Sequence, residues 1–271
     1  MEIKEILIKL KNPDIQILEG KLLEQLVEKS KESSPILLNE YKNVVNSIKN
    51  DKYNMDSIYH IILIFILAKL KVKKAIYPFV DTLKLGTDTV DTLYGDYVTE
   101  GFQNIFATFF ENNRNLRRQI LFKIINNESL DDFVRNSLID SIRISYLDND
   151  IDNKELDRFI KKLIVKEEII YNEILLTGLV ILIAEFSMSK YYNIVLDYFD
   201  KNLIDENFFK LKDFKKLYNE KKEITINHLK KIFKFKEPKI NDLCFWINYF
   251  DRYDKVILTE KQKKIRKNYR G

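Results

Sequence analysis

Residues 129–145, SLDDFVRNSLIDSIRIS, lie in a segment whose apolar spacing predicts a helix from about Asp131 to Leu147. A helix is predicted before it at about Asn115–Ile125, and two are predicted after it at about Lys154–Val165 and Glu167–Phe186. Short polar stretches join these helices, and helices joined in this way pack as antiparallel neighbours. A long run of such hairpins is typical of an α-solenoid, in which each helix pair buries its apolar face on the next. We therefore predict an all-α fold of stacked antiparallel helix pairs.

The composition of the 271-residue chain favours the same fold class. Hydrophobic residues make up 45% and charged residues 32%, which is the balance of a globular protein rather than a disordered one. The chain has six glycines and four prolines, too few for the many turns of a sheet protein. Long helices with short connections are therefore expected. One of them is predicted to begin at Ser34-Pro35, where serine is a good N-cap and proline suits the first helical position.

Three features bear on the compartment. Cys244 is the only cysteine, which excludes an internal disulfide and fits a reducing environment. The N-terminal MEIKEILIKL is typical of an amphipathic helix rather than a signal peptide. The apolar runs Ile61–Ala68 and Ile174–Ala184 are shorter than the roughly 18 to 20 residues of a membrane span, so we predict buried central helices there. We expect a cytoplasmic protein without a membrane span.

The charge of the chain is unevenly distributed. Residues 1–209 contain 27 Lys and Arg against 33 Asp and Glu, whereas residues 210–271 contain 19 against 8. A basic cluster of this kind attracts phosphate groups or an acidic protein surface. The candidate partner-binding residues in the tail are Lys263, Lys264, Arg266 and Lys267.

The stretch 58–110 carries motifs that resemble a known family. Tyr59-His60 precedes an apolar helix, and Ala75-Ile76-Tyr77-Pro78 is an Ala-Tyr-Pro-like step with Ile76 inserted. Gly95-Asp96-Tyr97-Val98-Thr99-Glu100 precedes another helix. In this order the motifs resemble a bacterial family of unknown function, and the resemblance extends over about residues 13–220. It implies a HEAT-like helical fold and supplies no established activity.

Two shorter elements add to the resemblance. Asp132-Phe133-Val134-Arg135 is similar to the Asp-x-Val-Arg element of a HEAT repeat, in which the acid caps a helix and the arginine reaches a neighbouring repeat. Asn241-Asp242-Leu243-Cys244 is similar to the opening of the zinc-binding SEC-C tail of some relatives. The other cysteines of that tail are absent, so a tetrahedral thiolate site within one chain is excluded.

These patterns predict two regions. Residues 1–235 are expected to form the HEAT-like helical repeat domain, and residues 236–271 an aromatic and basic C-terminal extension. Its aromatic residues, with Cys244, are expected to cap the open end of the solenoid. A partner-binding patch is the alternative if the rings are exposed. The aromatic residues are Phe245, Trp246, Tyr249 and Phe250.

Asp96, Thr99 and Glu100 are candidate partner-binding residues with two interpretations. Gly95 can end one helix and Asp96 can cap the next, with Thr99 and Glu100 in its first turn. Alternatively these polar side chains lie at the mouth of a groove that binds a ligand or a partner peptide. The two interpretations are compatible, because a capping acid can also be presented to a partner.

Metal and cofactor sites are not expected. His60 lies on an apolar helix and is interpreted as a buried, hydrogen-bonded core residue, whereas His228 lies among lysines and is interpreted as a surface residue. Together with Cys244, these are too few soft ligands for a closed zinc site. The chain also has no nucleophile elbow, phosphate-cradling loop or His-Glu-x-x-His motif.

The predicted function is that of a non-catalytic interaction or regulatory scaffold, which binds a protein or peptide along its helical-repeat surface. A nucleic-acid-associated HEAT-like protein that uses the basic C-terminal region is the second hypothesis. The acidic body opposes a wrapped duplex in that case. An enzyme with an unfamiliar pocket is a third class.

Overall fold

The structure is a computed structural model that describes residues 1–12, 18–232, 239–245 and 247–248. All regular secondary structure within these residues is helical, and none of them lies in a strand. The predicted all-α class is confirmed. No helix in this part of the chain has both the length and the apolar character needed to cross a membrane.

The described residues fall into two compact units. Unit 1 contains residues 1–70 and the described residues after 238, and unit 2 contains the described residues between 71 and 237. The division near Leu70 falls inside the predicted 1–235 domain, and no stretch rich in Gly, Pro or Ser marks it in the sequence. The predicted boundary between residues 235 and 236 lies outside the described residues, as does most of the predicted extension.

Unit 1 is built around one fully buried helix. Its residues 240–245 and 247–248 are also helical. The numbered helices of unit 1 are α1 (Ile3–Leu10), α2 (Gly20–Glu28), α3 (Ser30–Lys49) and α4 (Tyr59–Lys69). Every residue of α4 from Tyr59 to Ala68 is buried, and α4 packs against α2 and α3. A helix that is apolar on all sides must be enclosed on all sides. The prediction of a central helix at Ile61–Ala68 is confirmed.

The predicted helix start at Ser34-Pro35 is wrong. Helix α3 begins at Ser30, directly after the single residue Lys29 that separates it from α2, and Pro35 lies inside it. The buried Ser33 hydroxyl donates a 2.7 Å hydrogen bond to the Leu26 carbonyl of α2, which ties the two helices at their junction. Ser34 donates to the Ser30 carbonyl at 2.6 Å, within α3 instead of capping it. Ser33 and Ser34 therefore act inside α3 and at its junction with α2, and neither caps a helix at Pro35.

Unit 2 contains the remaining helices and two short 3₁₀ segments, Lys73–Ala75 and Ser189–Tyr191. The helices are α5 (Ile76–Thr82), α6 (Thr87–Tyr94), α7 (Tyr97–Glu100), α8 (Phe102–Phe110), α9 (Arg114–Ile125), α10 (Asp132–Leu147), α11 (Asn153–Leu163), α12 (Glu167–Ile170), α13 (Glu173–Glu185), α14 (Tyr192–Asp200), α15 (Leu211–Asn219) and α16 (Lys222–Ile232). Helix α10 packs against α8 and α13, and α13 packs against α15. Most of α13 is buried, as predicted for the apolar run in this segment.

Side-chain caps explain where four of these helices begin. The side-chain oxygens of Asn113, Asp131, Asp152 and Asn172 accept backbone N–H groups in the first turns of α9, α10, α11 and α13. Each cap satisfies a donor that the helix itself leaves unpaired. The prediction of a single helix at 167–186 is wrong for the same reason. Asn172 caps α13 there, so the segment is split into the short α12 and the long α13.

Gly178 permits the close approach of α13 to α10. A Cβ atom at this position would lie 2.1 Å from the Asn136 side-chain oxygen. Any side chain at residue 178 would therefore force Asn136 or the helices to move.

The carboxylate of Asp157 ties α11 to the 3₁₀ segment at 189–191. The Tyr191 hydroxyl donates to Asp157 Oδ1 at 2.7 Å, and Lys190 Nζ lies 3.1 Å from both carboxylate oxygens. The Tyr191 hydrogen bond, assisted by Lys190, lowers the pKa of Asp157 below its ordinary value of 3.8.

We expect Asp157→Asn to lower the free energy of unfolding by about 1 kcal/mol at neutral pH, because it weakens these charge-assisted bonds. A carboxylate whose folded-state pKa is depressed stabilises the fold above the unfolded-state pKa. That stabilisation is lost as the pH falls through the folded-state value. The difference between parent and variant should therefore shrink below the ordinary pKa of 3.8.

The measurement is urea unfolding of both proteins at about pH 7 and about pH 2.5. Asp197→Asn is the matched control, because Asp197 pairs with Lys201 at 2.6 Å in an exposed pair within one helix turn. Its effect should stay below about 0.5 kcal/mol. If the loss of unfolding free energy in Asp157→Asn is the same at both pH values, the lowered pKa of Asp157 is contradicted.

Candidate functional site

The predicted residues around Gly95 lie in a short turn of unit 2. Gly95 ends α6 with φ at +48°, which confirms its predicted role as a helix terminator. Asp96 holds the N-cap position of α7, but its side chain accepts no capping hydrogen bond. Thr99 donates to the Asp96 carbonyl at 3.0 Å, and Asp96, Thr99 and Glu100 are all exposed. None of them lines either of the two cavities described below. Their partner-binding role stays a prediction.

The predicted tail residues Lys263, Lys264, Arg266 and Lys267 lie outside the described residues. So do Trp246, Tyr249 and Phe250 of the predicted aromatic cluster, whereas Phe245 is exposed and Ile247 is buried. Both histidine interpretations are confirmed. His60 is fully buried with Nδ1 3.1 Å from the Tyr53 hydroxyl, and His228 is exposed.

The Asp-x-Val-Arg element ties α9 to α10. Arg135 is buried, and its Nε donates to the carbonyl of Ile125, the last residue of α9, at 2.8 Å. Its Nη1 lies 2.7 Å from Asp132. The arginine thus reaches the preceding helix, while the capping acid is Asp131 and Asp132 serves as the ion-pair partner. These contacts make the element part of the hairpin structure.

A buried ion pair joins α10 to α13. Arg143 Nε donates to Glu185 Oε2 at 2.5 Å, and Arg143 also pairs with Asp140. Burial raises the pKa of Glu185, an effect that Arg143 opposes. Burial alone would lower the pKa of Arg143, but the charges of Asp140 and Glu185 raise it. This pair lines neither of the cavities described here, and it holds two helices together.

A shallow groove in unit 2 combines an apolar lining with several cationic side chains. Helices α9 and α11 supply most of its lining, and its volume is about 50 Å³. We call it the basic groove. Its floor is apolar and consists of Leu121, Phe122, Ile142, Ile151 and Phe159. The Phe122 and Phe159 rings lie 6.1 Å apart between centroids.

Three exposed cations line the edge of the basic groove: Arg118 on α9, and Arg158 and Lys162 on α11. Lys162 Nζ lies 4.6 Å from the Phe122 ring centroid, which is a cation–π distance. No acidic side chain in the described part of the chain lies within 4.0 Å of these three cationic groups. Their charge is therefore available to a partner.

A different arginine beneath the groove is neutralised. Arg117 is buried, and its Nε and Nη2 donate to Glu155 Oε1 at 3.2 and 3.0 Å. Arg114 Nε lies 3.5 Å from the other Glu155 oxygen. Because Glu155 is already engaged by two arginines, it cannot also neutralise the cations at the edge. The groove therefore has a net positive charge.

The sequence analysis assigned no role to these residues. The body up to residue 209 is acidic in total, and that total conceals a local concentration of positive charge. Part of the signal was visible, because Arg114, Arg117 and Arg118 fall within the first five residues of α9. That α9 and α11 lie side by side around one apolar floor is a tertiary feature.

Comparison with known proteins identifies the family. The chain matches the family described as "Protein of unknown function (DUF1186)" over residues 1–250, and it therefore belongs to that family. No curated protein matches the chain. No solved structure matches it either. The resemblance to an uncharacterised family is confirmed at this level, while its HEAT-like repeats and SEC-C relationship stay predictions.

Proposed function

We propose that this member of the DUF1186 family is a non-catalytic protein-interaction scaffold whose basic groove binds an acidic, amphipathic segment of a partner protein. The observation that carries the proposal is the apolar floor edged by three cations without acidic partners. A cytoplasmic, reducing compartment, as expected from the single cysteine, suits such a protein.

The helix contacts of unit 2 support a HEAT-like stack. Helices α8, α10, α13 and α15 contact one another in that order, although other helices separate them in the sequence. This alternation is typical of a solenoid, where helices of one row contact the equivalent helices of the next repeats. Helices α9 and α11 each contact α10, as helices of a second row would.

The chemistry of the groove selects the kind of segment. Apolar side chains of a partner can cover the exposed part of Phe122, the one half-buried residue of an otherwise buried apolar floor, which removes apolar surface from water. Asp or Glu side chains on the same segment can pair with Arg118 and Arg158, and arginine binds carboxylates with two parallel hydrogen bonds. A nucleic-acid strand would bind the cations through its phosphates and could stack a base on the single half-buried ring, Phe122. We favour a peptide, because its carboxylates match the two arginines and its apolar side chains match this ring.

The test is fluorescence anisotropy with a labelled 12-residue peptide that combines Glu and Asp with Leu and Phe. We expect Arg118→Glu with Arg158→Glu to weaken binding at least about tenfold, because two attractive contacts become repulsive. Lys123→Glu with Lys154→Glu is the matched control. It makes the same change in charge on the same two helices, at exposed residues that do not line the groove. The control should change the affinity less than about twofold, and the thermal unfolding of both variants should be compared.

Two further probes separate the alternatives. A peptide in which Leu and Phe are replaced by serine should bind weakly, because the floor then has nothing to cover. A labelled 12-nucleotide single strand should compete poorly with the peptide. Equal effects of the two charge reversals would reduce the binding to general electrostatic attraction and would refute the groove. Tighter binding of the oligonucleotide would favour the nucleic-acid hypothesis.

A further inference from the structure

A separate cavity of about 410 Å³ lies in unit 1, and we call it the α3–α4 pocket. One wall is the face of α3 that carries Glu40, Asn43 and Ser47, and the opposite wall is the connection to α4 with Asn54. Lys11, the residue that follows α1, closes one side. The volume lies within the range of about 300 to 1,000 Å³ that is usual for small-molecule sites.

The two charged residues of the pocket neutralise each other. Lys11 Nζ lies 2.6 Å from Glu40 Oε1, and the same ammonium group lies 5.7 Å from the Tyr59 ring centroid. Burial and the nearby charge of Glu40 raise the pKa of Tyr59, so its phenol stays neutral. Because Lys11 and Glu40 have opposite charges, the lining of the pocket carries no net charge that would attract an anionic or a cationic ligand.

The other polar groups can both donate and accept hydrogen bonds. The Ser47 hydroxyl donates to the Asn43 carbonyl at 3.0 Å and still has lone pairs that can accept from a ligand. Asn54 Oδ1 accepts the Asp56 N–H at 3.1 Å, while its NH₂ group is a donor. Ligand hydroxyls, which both donate and accept, complement groups of this kind.

Tyr53 forms a fixed part of the wall. Its hydroxyl accepts the His60 backbone N–H at 3.1 Å and lies 3.1 Å from His60 Nδ1, so the fully buried His60 holds the ring in one position. The Tyr53 and His60 rings meet edge to face with centroids 5.5 Å apart. A ring that is already held in place loses little conformational entropy when a ligand packs against it.

We infer that the α3–α4 pocket binds an uncharged, hydroxyl-rich small molecule of the size of a simple sugar. The Lys11–Glu40 pair leaves the pocket without a net charge, the amide and hydroxyl groups match the hydroxyls of the ligand, and the Tyr53 ring offers it an apolar surface. This site lies in unit 1 and is independent of the basic groove, so either proposal can fail alone.

The test is saturation-transfer difference NMR on the full chain, with glucose, galactose, N-acetylglucosamine and maltose as probes. At least one of them is expected to bind in the millimolar range or tighter. For the sugar that binds, its amino analogue and its uronic-acid analogue should bind no more tightly than the neutral parent, because the pocket has no net charge to attract either one.

Asn43→Leu should weaken that binding at least about tenfold, because it removes a polar group and fills part of the cavity. Asn46→Leu is the matched control, since it makes the same change at an exposed position of α3 that does not line the pocket. It should leave the affinity unchanged. The inference is overturned if none of the four sugars binds, if Asn43→Leu and Asn46→Leu act alike, or if a charged analogue binds more tightly than its neutral parent.

Discussion

Replacing Phe102 by alanine is expected to lower the free energy of unfolding by about 3 to 5 kcal/mol. Phe102 is fully buried at the start of α8, and its ring lies edge to face with Phe79 at 4.9 Å and Tyr94 at 5.0 Å between centroids. It also contacts Tyr97 and Phe106, at 6.2 and 6.3 Å. Removal of the ring leaves a cavity among four other rings, and rigid aromatic neighbours cannot easily collapse into it.

The measurement is urea or guanidinium unfolding followed by far-ultraviolet circular dichroism. Phe133→Ala is the matched control, because Phe133 is half exposed on α10 and loses little buried surface. Its effect should remain below about 0.5 kcal/mol. Similar destabilisation by the two substitutions would mean that the aromatic cluster is not the core of unit 2.

Breaking the buried ion pair between Arg143 of α10 and Glu185 of α13 is also expected to lower the free energy of unfolding. Arg143→Met leaves Glu185 buried without this cation, and Glu185→Leu removes one of the acids that pair with Arg143. Arg143→Met should lower the free energy of unfolding by about 3 to 5 kcal/mol, because the buried Glu185 loses its cation. Glu185→Leu should lower it by less, because Asp140 still compensates the charge of Arg143. The side chains of Arg143 and Glu185 are only 6% and 8% exposed, so water cannot replace the lost partner.

The double variant distinguishes pairing from simple packing. Arg143→Met with Glu185→Leu should be considerably more stable than the sum of the single effects implies, with a coupling of about 2 kcal/mol or more. The exposed pair Asp197–Lys201 provides the control cycle, through Asp197→Leu and Lys201→Met. Its coupling should not exceed about 0.5 kcal/mol. Additive effects at Arg143 and Glu185 would show that the ion pair contributes little.

Local chemistry made much of the helical structure predictable. Asp131 marks the start of α10 from sequence, because a side-chain cap acts only two or three residues away. The apolar runs in α4 and α13 predicted buried helices for a similarly local reason. Helix boundaries were predicted less well. Pro35 favours a helix start, but α3 begins at Ser30, and the Ser33 hydroxyl donates to the Leu26 carbonyl of α2. The segment 167–186 was predicted as one helix, although Asn172 caps a second one within it.

The candidate sites depend on long-range contacts and were not predicted. Arg117 and Glu155 are 38 residues apart in sequence, and Arg143 and Glu185 are 42 residues apart. No local pattern distinguishes these charges from the other charged residues of amphipathic helices. Asp96 was recognised as a candidate because Gly95, Thr99 and Glu100 form a short motif with it in the sequence. The residues that line the basic groove come from separate helices and form no such motif.

The sequence by itself determined that the chain is helical, where its central helices lie, and that His60 is buried, because these properties follow from apolar spacing and side-chain caps within a few residues. Only the tertiary structure decided which helices are neighbours and which charges remain without partners. The cations of α9 and α11 line one groove because both helices pack on α10, with Phe122 and Phe159 between them. Whether a lysine or arginine is neutralised depends on acids far away in sequence, so only the folded chain separates Arg118 from the paired Arg117.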